Sequence, residues 1–400
     1  MKIHHRQLVA TVSLCCLLTL TGTFSLLRAD TGTCNGTDLT LPFLDVAGNQ
    51  FFCAIAAAYV TGITVGTGAN SFTPSGLVAR DQMSAFVTRT LDYSLKRGSQ
   101  RAALNQFWTP TFIAQGAAAN VGNEPDLLAS DGADLWVANN SAGTVSRVRA
   151  SDMKVLSTWT GATGAKGVCV ARGRIFVTGE TNPGKVYVID PTQAPGNVTT
   201  LVSNLGAFPK GIAYDGTLLY VAVGGGNGQG NVSIIDLSSG APDVSVHSAG
   251  FTHPQGLVFD GTAMWLTDAG DHQLKKLTFG GIVIKSIDVG SQPSYPICDG
   301  VNIWVPNYDG FSVTVVRASS GAVLTTLQSN NLNSPVAAAF DGERVLITHS
   351  DGVEVYRASD FSPLGHFLSG TACGNHAYGA CSDGRSFYVT MKDCDQVYRF

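Results

Sequence analysis

Seven times between residues 131 and 384 the chain repeats one unit: a short apolar strand, a turn closing in Gly, then a second apolar strand that usually carries an aromatic residue. The turns are Asp131-Gly132, Arg172-Gly173, Asp215-Gly216, Asp260-Gly261, Asp299-Gly300, Asp341-Gly342 and Asp383-Gly384, and they recur every 39 to 45 residues. A period near 42 is that of four-stranded blades arranged around an axis, so the repeats predict a mainly β chain, a seven-bladed β-propeller over residues 111–400. After the turns, Trp136, Phe176, Tyr220, Trp265, Trp304, Leu346 and Tyr388 occupy one repeat position, where packing between blades favours a large ring. The seventh unit stops at Phe400 after three strands, so TFIAQG at 111–116 is expected to supply its fourth and close the ring without an unpaired edge.

The repeats resemble the YVTN/NHL-type propeller superfamily, whose pattern P-x-G-I-A-x-D-G-x-x-L-Y-V is closest to FPKGIAYDGTLLYVAV (208–223) and HPQGLVFDGTAMWLTD (253–268). That resemblance implies the fold and leaves the function open, because binders, lyases and lactonases share it. Residues 30–95 resemble a single S-layer homology domain, a small α-helical unit, through PFLDV (42–46), AIAAAYVTGITVG (54–66), SFTP (71–74) and VARDQMSAFVTRTL (78–91). The first helix is expected to bury Phe52, Ile55 and Tyr59, and the second Met83, Phe86 and Val87. The family's glycan-holding Asp and Arg would correspond to Asp45 and Arg80. Two features depart from the family: one copy stands where three tandem copies are usual, and Phe51-Phe52-Cys53 replaces a common Trp-Ala pair. Residues 96–110 read as a linker.

Lys2 and Arg6 precede an apolar stretch beginning at Leu8, so residues 1–29 read as a secretory signal peptide, with export to the cell surface, the periplasm or the medium. No later stretch is apolar enough to span a membrane. The formal charge of −4 becomes more negative when the leader's cations leave, which excludes nucleic acid as a natural partner. Cys34–Cys53 and Cys373–Cys394 are the expected disulfides, and Cys169, Cys298 and Cys381 are expected to be small buried thiols.

Loops entering the first strand of each blade, and loops joining its second and third strands, surround the mouth of the central channel. They bring His253, His349, His376, Glu180, Asp268, Tyr295 and Asn307 to that face as candidate ligand-binding residues, with metal binding left open. The bland alternative places the same residues in ordinary loops on different blades. No motif calls for a cofactor: G-x-S-x-G, H-E-x-x-H, C-x-x-C-H and a Rossmann fingerprint are all absent. Two functions follow as expectations. One is an exported, envelope-associated binding or scaffold protein, anchored by its S-layer-homology-like part to cell-wall or surface glycan, with a propeller that offers a protein or glycan interaction surface. The other is an exported hydrolase or lyase, lactonase-like or virginiamycin B lyase-like, with a metal-assisted site at the mouth.

Overall fold

The computed structural model describes residues 29–68, 70–96, 117–226, 228–238, 242–247, 250–367 and 376–400. Nearly all of the stretch read as a signal peptide, most of the stretch read as a linker, residues 111–116 and Cys373 therefore lie outside the described residues. Seven four-stranded antiparallel sheets are present among them, six of them built from residues 125–160, 165–203, 209–247, 254–288, 297–328 and 338–367. The seventh takes three strands from 377–399 and one from the other end of the propeller. This is the predicted seven-bladed propeller. Its closing strand is Ala118–Asn120, with Ala118 opposite Tyr398 and Asn120 opposite Gln396. The closure is of the expected kind, but it falls a few residues beyond the stretch singled out from the sequence.

The turn aspartate does more than form the turn. In blade one, an Asp131 oxygen accepts the backbone N–H groups of Ala133 and Asp134, and the other accepts Trp136 Nε1–H at 2.9 Å. Asp260 does the same for Trp265 at 2.7 Å and Asp299 for Trp304 at 2.9 Å, while Asp215 and Asp383 accept the hydroxyls of Tyr220 and Tyr388. A fully buried ring with a polar hydrogen needs an acceptor, and this carboxylate supplies it. The two exceptions obey the same rule. Blade two has Phe176, which has nothing to donate, and its turn carries Arg172. Blade six has Leu346, and there the Asp341 carboxylate is taken by Arg344 at 2.7 Å. The following Gly has φ near +90° to +104° in most of these turns, a backbone conformation that favours glycine.

The N-terminal part is not the purely helical unit expected. It begins with a hairpin, β1 (Asp30–Cys34) and β2 (Thr37–Leu41), continues into α1 (Phe52–Val60) and ends in α2 (Arg80–Lys96). The expected disulfide Cys34–Cys53 ties the hairpin to α1. Cys394 is also disulfide-bonded, while its expected partner Cys373 lies outside the described residues. Phe52, Ile55 and Tyr59 are buried as anticipated, but Met83 and Val87 on α2 are more than half exposed. The buried side of the unit merges with blade five: Phe43, Tyr59 and Val60 share one core with Trp304, Val313 and Leu324. At the C-terminal end of α1, the Val60 carbonyl accepts Arg317 Nη1 at 2.7 Å and Asn302 Nδ2 at 3.3 Å. A cation at a helix C-terminus is favoured by the orphan carbonyls and the helix dipole. The Arg317 guanidinium also lies 4.4 Å from the Tyr59 ring centre. The first unit is thus a buttress built onto the blade.

Cys169 and Cys381 are free thiols, and the residues are partly exposed where full burial was expected. Burial pushes the Cys169 thiol up to about 12 and also raises that of Cys381, so neither is a thiolate at neutral pH.

Candidate functional site at the channel mouth

Each blade's first strand enters through a Pro-x-Gly-like segment, and the blades are stitched together at that point. Thr178 Oγ1 donates to the Lys210 carbonyl of the next blade at 2.7 Å, Thr390 to Asp126 at 2.7 Å and Thr348 to Tyr378 at 2.6 Å. The approach is so close that a Cβ on Gly167 would lie 2.3 Å from the Lys210 carbonyl oxygen, which is why the position after x is often Gly. The x positions form an inner ring of Asp126, Lys166, Lys210, Gln255, Ser294, Val336 and Tyr378.

Lys166 is the centre of this ring. Its ammonium lies 3.0 Å from Asp126, 3.4 Å from Glu180 and 3.1 Å from the Tyr378 hydroxyl, to which it donates. Asp126 is fully buried, and the Lys392 ammonium approaches the same carboxylate oxygen at 3.8 Å. Burial raises the Asp126 pKa, and the neighbouring ammoniums only partly reverse this. Burial also works against the Lys166 charge, but the surrounding Tyr295, Tyr378, Asp126 and Glu180 outweigh it and hold the group protonated. Lys210 is pulled the other way: burial and then repulsion from Lys166 lower its pKa, with Glu180 and Asp126 offsetting this in part. The Tyr295 and Tyr378 phenols are raised by burial, so both keep their protons.

Above the ring is a cavity of about 200 Å³ lined by Lys166, Lys210, Gln255, Gln292, Pro293, Ser294, Tyr295, Tyr308, Val336 and Tyr378. Below it, Tyr295, Val336 and Ala337 pack with Leu127, Tyr378 and Ala380 as an apolar plug. A second cavity beneath the plug has Leu127, Ile212, Leu257 and Ala380 in its walls. The apolar cluster thus lies between the two cavities, and the one at the mouth is the more polar in its lining.

Of the residues expected at the mouth, the structure brings Glu180 and Tyr295 into this site. Asp268 is buried in a knot at the corner of blade four, accepting the backbone N–H groups of Thr252 and His253 and the Lys275 ammonium at 2.7 Å. Asn307 is buried and donates to Ser312 and Thr314, as Asn139 does to Thr144 and Ser146 in blade one, so it fastens a strand end. The three imidazoles do not come together. His253 sits on the blade-four loop, and His376 lies 3.7 Å from Asp393 on blade seven. His349 is buried within blade six and stacks on His366 with ring centres 5.0 Å apart. Among the described residues no group of three or more His, Cys, Asp or Glu side chains is placed to hold a metal ion. Asp126, Lys166, Lys210 and Tyr378 were not foreseen. Their signal was the variable residue between Pro and Gly in the repeat, which is apolar or small in a purely structural ring and here is charged or phenolic in four blades.

In the first unit, the Asp45 carboxylate accepts Ser71 Oγ, Phe72 N–H and Thr73 N–H at 2.8 to 3.2 Å. These donors outweigh its burial and hold the carboxyl below the usual range. Asp45 thus clasps the 71–73 loop, and Arg80 opens the exposed helix α2.

The buried His349 supplies a pH test. Burial, reinforced by His366, pushes its pKa from 6.5 down to about 4. The unfolded chain therefore takes up this proton first, and the stability present above pH 6.5 is lost as the pH falls toward 4, by about 3 kcal/mol. Urea unfolding at pH 7.0 and 4.5 should show a smaller loss in His349→Phe than in wild type. Equal losses in the two proteins would assign the acid sensitivity to other groups.

No protein-family model and no curated protein sequence matches this chain. Solved structures do. Virginiamycin B lyase from Staphylococcus aureus superposes with a TM-score of 0.58 at 15% identity, over 71% of this chain and 97% of the lyase chain. Hydrazine synthase from Kuenenia stuttgartiensis gives 0.57 at 17% identity, over 73% and 98% of the two chains. The WD40 propeller domain of Doa1 gives 0.57 at 15% identity, over 72% and 96%. At such identities the likeness establishes the propeller fold and nothing finer.

Proposed function

We propose that the chain is an exported, envelope-associated binding protein that takes its ligand at the channel mouth and uses its N-terminal unit for attachment. The observation that carries this reading is the division of surfaces. The N-terminal unit is fixed to blade five, with the Thr325 hydroxyl of its outermost strand donating to the Asp38 carbonyl at 2.9 Å, and it contributes no residue to the mouth cavity. Both the polar mouth cavity and the exposed helix α2 are left accessible. The Cys34–Cys53 disulfide supports an oxidising compartment, and the resemblance to an S-layer homology domain supports glycan as the attachment partner through Arg80 and the Asp45 loop.

Co-sedimentation with isolated bacterial cell-wall sacculi tests the attachment. Wild type should pellet with the sacculi, and Arg80→Ala should lower the pelleted fraction while leaving the melting temperature unchanged. A wild-type protein that stays in the supernatant would mean that the first unit is only a buttress. The second reading, an exported hydrolase or lyase, draws on one observation: a buried carboxylate with a raised pKa, Asp126, beside a buried ammonium is an arrangement that active sites also use. Ester or lactone turnover that disappears in Asp126→Asn would favour it.

A further inference from the structure

The mouth cavity has a one-sided chemistry. Its lining presents two ammoniums, three phenols, two amides and a hydroxyl, and no carboxylate. The two acids of the cluster, Asp126 and Glu180, are absent from the lining and hold Lys166. Because Tyr378 accepts a hydrogen bond from Lys166, its own O–H proton remains to be donated elsewhere. Tyr295 makes no side-chain hydrogen bond among the described residues.

Charge bookkeeping sharpens this. Lys166 is matched by the two carboxylates, whereas Lys210 makes neither an ion pair nor a side-chain hydrogen bond among the described residues, although it is only partly exposed. Burial lowers its pKa, and the attraction of Glu180 offsets this only in part. A half-buried ammonium without a partner is an unmet electrostatic demand, and an anion satisfies it with shorter, stronger hydrogen bonds than a neutral group can. One unmatched cation in the lining selects a single negative charge. Tyr295, Tyr308 and Tyr378 supply the flat apolar surface beside it, and a volume of about 200 Å³ falls below the roughly 300–1,000 Å³ of pockets for drug-sized ligands.

We propose that the mouth cavity binds a small organic monoanion, a carboxylate on a flat apolar body, with the carboxylate held by Lys210 and the Tyr378 hydroxyl and the body against Tyr295 and Tyr308. This rests on the reading of the propeller as a binding module, and it names the chemistry of the ligand.

Titration calorimetry on the full chain at fixed ionic strength tests it with three probes: benzoate, its neutral isostere benzamide, and inorganic phosphate. Benzoate should bind at least about tenfold more tightly than benzamide, and more tightly than phosphate. Lys210→Met should weaken benzoate at least about tenfold and leave benzamide unchanged, and Tyr378→Phe, which removes one oxygen, should weaken benzoate by a smaller factor. Melting temperatures of both variants report whether they fold, and Lys210→Gln replaces the Met variant if it does not. Equal binding of benzoate and benzamide, preference for phosphate, no effect of either Lys210 variant, or no heat with benzoate at millimolar concentration would each overturn the proposal. Benzoate binding without sacculus pelleting removes the envelope attachment alone, and pelleting without benzoate binding removes this site alone.

Discussion

Trp304→Ala is expected to destabilise the protein by about 3–5 kcal/mol, the range for truncating a large ring in a packed core. The indole is fully buried, meets Phe361 edge-on at 5.3 Å between ring centres and lies 6.1 Å from Tyr356, so its loss opens a void between blades five and six. It also belongs to the core shared with Phe43 and Tyr59, so the damage reaches the N-terminal unit. Trp304→Phe separates the two contributions. It keeps most of the ring and removes only the Nε1–H donated to Asp299, for a cost of about 1–2 kcal/mol. Guanidinium unfolding gives both values, and limited proteolysis within residues 30–60 should accelerate in Trp304→Ala but not in Trp136→Ala, whose ring lies in blade one. A cost below about 1 kcal/mol for Trp304→Ala would mean that the blades close over the void and that the repeat aromatic is not what holds them together.

The repeat position of Trp304 shows why the architecture was legible and where legibility stopped. Period, turn and aromatic recur in the sequence, and a recurring pattern can be decoded once and applied seven times. The link between the turn carboxylate and the ring's polar hydrogen is also written there: where the ring is Phe176, the turn has Arg172 instead of Asp. It becomes visible only when the repeats are aligned by structure. Histidine attracted attention at the mouth because imidazole is chemically versatile, yet His349 is placed by blade six to stack on His366. Loop membership fixes a residue's height along the propeller axis but not whether its side chain turns toward the axis or toward the next strand. Asp268 and Asn307 illustrate the second outcome, since both end their strands as hydrogen-bonding corners. The closing strand is a simpler case. Ala118–Asn120 pairs in register with residues 396–398, and TFIAQG lies outside the described residues, so the sequence placed the closure at the correct end of the propeller without fixing its register.

Lys166→Met should be the most damaging change at the mouth. It leaves the Asp126 carboxylate fully buried with only Lys392, at 3.8 Å, for compensation, and removing one partner of a buried pair costs about 3–5 kcal/mol at pH 8. The cost should depend on pH with a definite sign. Burial already raises the folded pKa of Asp126, and losing the ammonium at 3.0 Å raises it further. A carboxyl that binds its proton more tightly in the folded state contributes stability below its unfolded pKa of 3.8 and loses that contribution as the pH rises through the folded value. The deficit of Lys166→Met relative to wild type should therefore narrow as the pH falls from 8 to 5, the reverse of the acid sensitivity expected from His349. Lys166→Met combined with Asp126→Leu removes both charges, fills similar volume and should recover most of the loss, because a buried ion pair replaced by apolar groups is often close to neutral. If the double variant is as unstable as the single one, the cost lies in packing around Tyr378 and the charges are incidental. If it regains stability, the cluster is held at this position at no net gain to the fold, which is how a site kept for its ligand behaves.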